Sequence, residues 1–294
     1  MFCSPDREHN QVSCFTKKQL TFIAEKFNEK HPRNKITNME RMDKKKLWDE
    51  IRSKLSKSCD NEWCWIDSDF IKNLVKRNPE FRLMTFRPAM PSKWLNNKYT
   101  WLSTTDILLV MKQYELKYPD FMFLGPVPVD CPTGILCELS YLNLPALHKK
   151  NITKVGVIFN LDKHNQPGSH WTALWTDTNR RVIHYYDSYG DKPHPMIKNF
   201  MDKLSKQMKN KGVDMNIDYN RRRHQFGGSE CGVYSMNYII EHLNGKTLND
   251  ISSKPIPDRL MNELRHYLYR PPITKNKKTS MYGGGQKRKS NTTK

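Results

Sequence analysis

The stretch that decides the fold is GGSECG, residues 227–232, which leads into the apolar segment CGVYSMNYIIEHL, residues 231–243. Apolar residues recur in that segment at the spacing of a helix, and Asn244-Gly245 predicts its end. Cys231 is therefore predicted to lie where a glycine-rich loop becomes a helix. The free N–H groups and partial positive charge there stabilise a thiolate, and Gly232 lets a substrate backbone approach. This position predicts a nucleophile, with a capped core cysteine as the alternative.

A thiolate nucleophile needs a base and a group that orients the base. His170 directly precedes a predicted strand over 171–175, and Asp187 directly follows another over 182–186, with a turn between them at 177–180. In an antiparallel hairpin the start of the first strand lies beside the end of the second. We therefore expect His170 and Asp187 to meet at one sheet edge, although a surface histidine and a turn-forming aspartate are the alternatives for each residue alone.

Acyl transfer also requires hydrogen-bond donors for the developing oxyanion. Gln225 lies six residues before Cys231 and has a side-chain amide that could reach this position. The backbone N–H of Cys231 is a second candidate donor. The alternative for Gln225 is an ordinary loop residue.

The order and spacing of these residues resemble the clan of cysteine proteases that contains the SUMO/ubiquitin-like-protein proteases and the adenovirus maturation protease. The residues that carry the resemblance are His170-Trp171, Asp187-Ser188, Gln225 and Cys231-Gly232. Residues 224–239 are most similar to the polyprotein-processing proteases of large cytoplasmic DNA viruses, including that of African swine fever virus.

The segment around Trp101 resembles the Trp-Leu-x-Asp segment that opens the SUMO-protease domain. It departs from the family pattern, because Ser103 and two threonines separate Leu102 from Asp106. Recognition of a ubiquitin-like protein by this segment therefore stays open.

The resemblance covers about residues 95–270 and implies an α+β, papain-like or adenain-like fold. In that fold a mixed, mainly antiparallel sheet packs on the nucleophile helix, and a helical arm precedes the protease domain. Carried over by position, Cys231 is the nucleophile, His170 the general base and then acid, and Asp187 its orienting partner, with Asp191 as the fallback. Gln225 donates to the oxyanion. The substrate-binding residues are Trp171, Gly232 and Trp101; no metal or other cofactor is expected.

The sequence predicts three regions: a basic helical N-terminal arm over 1–95, a cysteine protease domain over 96–270, and a disordered basic tail over 271–294. Helical spacing within the arm occurs at 16–28, 39–55 and 67–76. Residues 154–161 read as a buried strand, and the four prolines at positions 119, 126, 128 and 132 predict turns. The tail has no acidic residue and too few apolar residues to form a core.

Composition limits the classes of function. The 294 residues include 50 Lys and Arg against 30 Asp and Glu, and the net charge of +20 predicts a polyanion partner such as DNA. No apolar run approaches the roughly 20 residues of a membrane span, and residues 1–10 do not resemble a secretory signal, so we expect an intracellular protein without membrane contact.

Seven cysteines, an odd number, argue against a disulfide framework. The spacings of Cys59 with Cys64 and of Cys131 with Cys137 do not fit zinc sites.

Together with the four candidate site residues, the resemblance implies a cysteine endopeptidase that cleaves after small residues. The resemblance implies Gly-Gly-x sites and the maturation of viral structural polyproteins, in the virion and the host cytoplasm. One alternative is an isopeptidase that removes a SUMO- or ubiquitin-like modifier. Another is a nucleic-acid-binding packaging protein with an inactive protease fold, which the charge favours and the complete set of four site residues disfavours. Residues 283–285, three glycines, suggest a self-cleavage site in the tail.

Overall fold

The computed structural model describes residues 2–7, 12–56, 61–97, 99–133 and 137–272. The described chain contains one five-stranded sheet whose strands lie in chain order. The two inner pairings are antiparallel and the two outer pairings are parallel, so the predicted mixed sheet is evenly divided rather than mainly antiparallel. The strands are β1 Phe121–Pro128, β2 Lys154–Asn160, β3 Trp171–Asp177, β4 Val182–Tyr186 and β5 Asn216–Tyr219.

Helices cover both faces of this sheet and also form the N-terminal arm that precedes it. Their bounds are α1 Lys17–Lys30, α2 Lys44–Leu55, α3 Glu62–Trp65, α4 Lys72–Arg77, α5 Pro79–Leu83, α6 Thr104–Lys117, α7 Leu144–Lys149, α8 Pro195–Lys209, α9 Cys231–Leu243, α10 Leu248–Ser252 and α11 Asp258–Leu268. One core joins α6, α9 and α11 to one face of β3, and a second joins α8 to the other face. Every residue of β3 is therefore buried, and this includes its polar residues Thr172, Thr176 and Asp177.

The N-terminal arm has a hydrophobic core of its own, formed by residues between Cys3 and Phe86. It contains α1, whose Thr16 forms a capping box with Gln19, and α2. The predicted helix over 39–55 begins as a 3₁₀ turn at Met39–Arg41 and becomes an α-helix only from Lys44, and only part of 67–76 is helical. Trp94 packs on Tyr269 in the core that contains α9, so the two cores separate between Phe86 and Trp94.

The first strand, β1, occupies a segment where proline suggested turns. Pro126 and Pro128 pair with β2 in the sheet, and a register shift lies just before Pro126. Proline has no N–H to donate, and β1 is an edge strand that needs partners on one side only. Pro126 and Pro128 therefore fit into a strand, because that strand lies at the edge of the sheet.

The cysteines correct the expectation of no disulfides. Cys3 is bonded to Cys14 and Cys131 to Cys137, with Cα–Cα distances of 5.0 and 5.4 Å. Cys64 is also disulfide-bonded, and Cys59 lies outside the described residues. An odd count requires one unpaired cysteine but does not prevent the others from pairing. Within the described chain the free thiol is Cys231.

Most of the predicted tail, including the three glycines at 283–285, lies outside the described residues. Among the described helices, none combines the length and apolar character needed to cross a membrane.

Three buried histidines predict loss of stability in acid. Burial lowers the pKa of His184; burial and the charge of Arg222 lower that of His224 to about 4; burial and His184 lower that of His242 to about 3. These pKa values lie below the 6.5 of an ordinary histidine, so between the two values the unfolded chain binds protons that the folded protein does not. The folded state therefore has its full stability above pH 6.5 and loses stability as the pH falls. We expect the free energy of unfolding to drop by a few kcal/mol between about pH 6.5 and 4.

Denaturant unfolding measured across this pH range tests the expectation. His242 stacks on Trp175 with 5.1 Å between ring centroids, so His242→Phe should fit the site and reduce the pH slope. His266 is exposed, and His266→Asn serves as the matched control that should keep the slope. Equal slopes in both variants would contradict the assignment to His242.

Candidate active site

Cys231 is the first residue of α9, at the end where helical N–H groups lack intrahelical acceptors. Its side chain is buried, with 2% of the residue exposed. The helix packs against β3, the strand that follows His170. This packing fixes the thiol relative to the sheet edge.

His170 lies in the residue position before β3, and the preceding loop is firmly held. Its carbonyl oxygen accepts a hydrogen bond from Leu161 N–H at 2.9 Å. Asn160 Oδ1 accepts from the N–H groups of Asp162 and Ser169, and Asp162 in turn accepts from Ser169 Oγ at 2.7 Å. These bonds fix the backbone that carries His170.

Asp187 follows β4 directly, as the hairpin prediction requires. His170 Nε2 and Asp187 Oδ1 are 2.8 Å apart, and both residues are buried. The same carboxylate oxygen accepts the N–H of Tyr189 at 2.8 Å. The backbone of Asp187 is fixed by Asn220, whose side chain accepts from the Asp187 N–H and donates to its carbonyl, both at 2.8 Å. Asp191 is exposed.

The imidazole of His170 faces both Asp187 and Cys231. Nε2 is engaged by Asp187, which leaves Nδ1 as the nitrogen available to Cys231, a hydrogen-bonding neighbour of this ring. Burial lowers the pKa of His170, but the hydrogen bonds and charges of Asp187 and Cys231 outweigh it and raise the pKa to about 9. The arrangement favours an imidazolium, which is the proton donor that a leaving amine needs, beside the sulfur of Cys231.

The raised pKa of His170 predicts the alkaline limit of any reaction that uses its proton. Because the imidazolium persists until the pH passes about 9, kcat/KM should stay high near neutral pH and fall above about pH 9. A pH profile of kcat/KM on a single substrate, in buffers of constant ionic strength, measures this limb. A decline centred near pH 6.5 would mean that His170 titrates with its ordinary pKa.

Gln225 is fully buried and close to the loop that carries Cys231. Its Oε1 accepts from Ser188 Oγ at 2.6 Å, and its Nε2 donates to Gly227 O at 2.8 Å. An amide nitrogen has two hydrogens, so a second donor remains on Nε2. The bond to Ser188 fixes the amide with its nitrogen toward the glycine loop.

Besides Gln225, three side chains from more distant parts of the chain hold the backbone of the loop over 226–230. Asp258 Oδ2 accepts the N–H groups of Phe226 and Gly227, at 3.0 and 2.7 Å. Arg265 Nη2 donates to Ser229 O at 2.9 Å, and Trp101 Nε1 donates to Gly228 O at 2.6 Å. The loop before the thiol is thus pre-organised, which is what stabilisation of an oxyanion by fixed donors requires.

Trp101 and Trp171 line one groove beside the site. The groove has a volume of about 570 Å³ and is bordered by Pro126, Pro128 and Gly168. Trp101 is 44% exposed, whereas Trp171 is buried and donates through Nε1 to Leu102 O at 3.1 Å. Trp101 also borders a second cavity on the other side of its bond to Gly228.

The structure explains the glycine at position 232 differently from the sequence analysis. A Cβ at this position would lie 3.1 Å from Leu102 Cδ1 and 3.2 Å from Trp171 Cδ1. The missing side chain therefore faces packed side chains inside the protein rather than an approaching substrate. Gly232 allows α9 to pack closely against the two segments that flank the groove.

Sequence reasoning missed several residues that shape the site. Asn220 and Tyr189 form hydrogen bonds with Asp187, and Asp258 accepts hydrogen bonds from the loop before Cys231. The sequence gives a weak indication for Tyr189, because a residue two positions after Asp187 must lie near it. Asn220 and Asp258 are 33 residues from Asp187 and 27 from Cys231, so only the folded chain brings them to the site. Among the described residues, no group of three or more His, Cys, Asp or Glu could hold a metal ion.

Comparison with known proteins shows clear similarity. The Ulp1 protease family, C-terminal catalytic domain, matches residues 146–276, which include all four predicted catalytic residues. The putative thiol protease R355 of Acanthamoeba polyphaga mimivirus is 34% identical over 286 residues, covering 91% of this chain and 93% of the relative. A cysteine protease of African swine fever virus is 24% identical over 262 residues, covering 80% and 93%.

A solved structure has the same fold. The crystal structure of the African swine fever virus protease matches with a TM-score of 0.68 at 20% identity, covering 92% of this chain and 96% of that chain. The match extends over the arm as well as the sheet domain. The predicted α+β protease fold is therefore confirmed.

Proposed function

The chain belongs to the Ulp1-type family of cysteine proteases, and on that premise we propose a catalytic triad of Cys231, His170 and Asp187. The observation that carries the proposal is the buried 2.8 Å contact between His170 and Asp187 at the N-terminus of the helix that begins with Cys231. The chain is a cysteine peptidase with viral relatives.

The reaction proceeds in two half-reactions. The Cys231 thiolate attacks the carbonyl carbon of the scissile bond, and the negative charge passes to the carbonyl oxygen. Gln225 Nε2 and the N–H of Cys231 stabilise that oxyanion. The imidazolium of His170 gives its proton to the leaving amine as the C–N bond breaks, which leaves a thioester on the sulfur. A water molecule, deprotonated by His170, then releases the acid and restores the thiolate.

We propose that the substrate carries small residues, in the form Gly-Gly-x, before the cut. The groove beside Cys231 is bordered by the large rings of Trp101 and Trp171 and by two prolines, which are rigid walls. Residues without side chains fit such walls most easily. The likeness to the clan named above supports Gly-Gly-x, and the viral relatives support structural polyproteins matured in the virion or host cytoplasm.

A modifier-cleaving activity is the second candidate, and it rests on a specific similarity. The relative from another African swine fever virus isolate is named a SUMO-1 cysteine protease and is 24% identical over 262 residues. An isopeptidase needs the same triad but also a surface that binds the folded modifier. Binding of DNA through the net charge of +20 is a further proposal, and it predicts binding that weakens steeply with salt.

A matched set of substrates tests the proposed function. We expect a quenched-fluorescence peptide with Gly-Gly-x to be cleaved after the second glycine, and its Ala-Ala-x counterpart at a rate lower by about tenfold or more, because a methyl group must enter the groove. A SUMO fusion that ends in the same Gly-Gly-x sequence is assayed in parallel, and mass spectrometry locates each cut.

The comparison separates the two candidates. Similar kcat/KM values for the short peptide and the fusion support a polyprotein protease, whereas hydrolysis of the fusion alone supports the modifier activity. Equal cleavage of the Gly-Gly-x and Ala-Ala-x peptides would refute the selection of small residues.

A further inference from the structure

We infer that Arg223, held between the rings of Tyr189 and Phe226, forms a subsite for a carboxylate on the leaving-group side of the scissile bond. The inference rests on the proposed function and adds a second element of substrate choice to it. The substrate class is a peptide with an acidic residue just after the cut.

The guanidinium of Arg223 has a fixed position. Its central carbon lies 5.1 Å from the ring centroid of Tyr189 and 5.0 Å from that of Phe226. Its Nε donates to Gln225 O at 2.8 Å. Cation–π contacts with two rings and one hydrogen bond restrict the rotation of a long side chain, so little conformational entropy is lost when a ligand binds.

Tyr189 connects this cation to the triad. Its ring stacks on the imidazole of His170, with 4.5 Å between centroids and an interplanar angle of 9°. Its N–H donates to Asp187 Oδ1. The stack places Arg223 one ring beyond His170, the residue that gives its proton to the leaving amine.

The strand order determines on which side of His170 this subsite lies. The groove between Trp101 and Trp171 includes Asn160 at the end of β2, whereas Tyr189 follows β4. The start of β3, next to His170, lies between them in the sheet. If the Gly-Gly segment occupies the groove on the β2 side, the chain after the cut leaves toward β4 and Arg223.

The charge of Arg223 is available to a ligand. Its neighbour Arg221 is paired with Asp218 at 2.8 Å, and Arg222 donates through Nε to Ser252 O. In the described part of the chain, Arg223 forms no ion pair. Its terminal nitrogens present the planar fork that binds a carboxylate through two hydrogen bonds. Phe226 is 72% exposed, and this subsite gives that exposed ring a role as one wall.

Peptide pairs that differ in one charge test the inference. The probe is a Gly-Gly-x peptide series with Glu, Gln or Lys at the first or the second position after the cut. We expect wild-type kcat/KM to be about fivefold higher for Glu than for Gln, with Lys lowest, and the difference to shrink at high salt. Arg223→Gln should remove the preference, and Arg223→Glu should reverse it in favour of Lys.

Arg221→Gln is the matched control, because Arg221 also lies over an aromatic ring but has its charge neutralised by Asp218. This variant should keep the wild-type preference. The ratio between two peptides is the readout because a general loss of structure would lower both rates together. If wild-type enzyme cleaves all peptides of the series equally, the inference is overturned while the proposed function stands. If it cleaves none of them, the proposed function fails and the inference falls with it.

Discussion

Replacement of Cys231 by alanine is expected to abolish hydrolysis of a Gly-Gly-x substrate, with kcat lowered by roughly 10⁴-fold or more. No other described thiol can substitute, because within the described chain Cys231 is the free cysteine. The side chain is small and already buried, so alanine fits without strain. The measurement is kcat on the fluorescent peptide, with circular dichroism to show that the variant is folded.

An activity-based probe gives an independent measure of the same thiol. A Gly-Gly peptide that ends in a vinyl ester should modify Cys231 alone, as located by peptide mapping. His170→Ala should slow this labelling strongly, because the imidazolium that stabilises the thiolate is lost. The proposed nucleophile would be wrong if the probe labelled several cysteines at comparable rates, or if Cys231→Ala retained wild-type kcat.

The elements nearest to the nucleophile were predictable because local patterns encode them. The apolar spacing of residues 231–243 and the glycines before Cys231 gave both the position and the start of α9. The adjacency of His170 and Asp187 followed from antiparallel pairing of β3 and β4, which a short turn enforces. In each case the pattern that predicts the element lies within about twenty residues of sequence, a range in which hydrophobic periodicity and turn residues determine the local structure.

What could not be predicted depends on contacts between distant segments. The proline-containing strand β1 reads as a turn until its edge position beside β2 is known. Parallel pairing of β5 with β4 requires a crossover through α8, and the turn signals around it do not specify that register. The outer members of the site, such as Asn220 and Asp258, act on backbone atoms that become neighbours only after folding.

The roles of two glycines show the same limit. The sequence predicts that Gly232 lets a substrate approach, but a missing side chain does not show what occupies the space beside it. The structure fills that space with Leu102 and Trp171. Gly190 has a φ of +81°, and a Cβ there would lie 2.8 Å from the carbonyl carbon of Arg222, which explains the glycine in the turn after Asp187.

Replacement of Asp187 by asparagine is the second change with a large expected effect. We expect kcat/KM to fall by roughly 10² to 10⁴-fold, because an amide can orient the imidazole wrongly and cannot stabilise its positive charge. The side chain keeps its volume, so its packing beside Asn220 and Tyr189 is preserved. Because Asp187 helps to raise the pKa of His170, the alkaline limb of the remaining activity should also move from about pH 9 to lower pH.

Asp191 provides the matched control for this change. It is an exposed carboxylate four residues beyond Asp187 and was the fallback for the third member of the triad. Asp191→Asn should leave both kcat/KM and the alkaline limb unchanged, because the imidazole of His170 is bonded to Asp187. A general loss of stability would lower the rate without moving the pH profile, so the shift of the limb identifies an electrostatic role. If Asp191→Asn caused the larger loss, or Asp187→Asn left the pH profile in place, Asp187 would not be the residue that orients and charges His170.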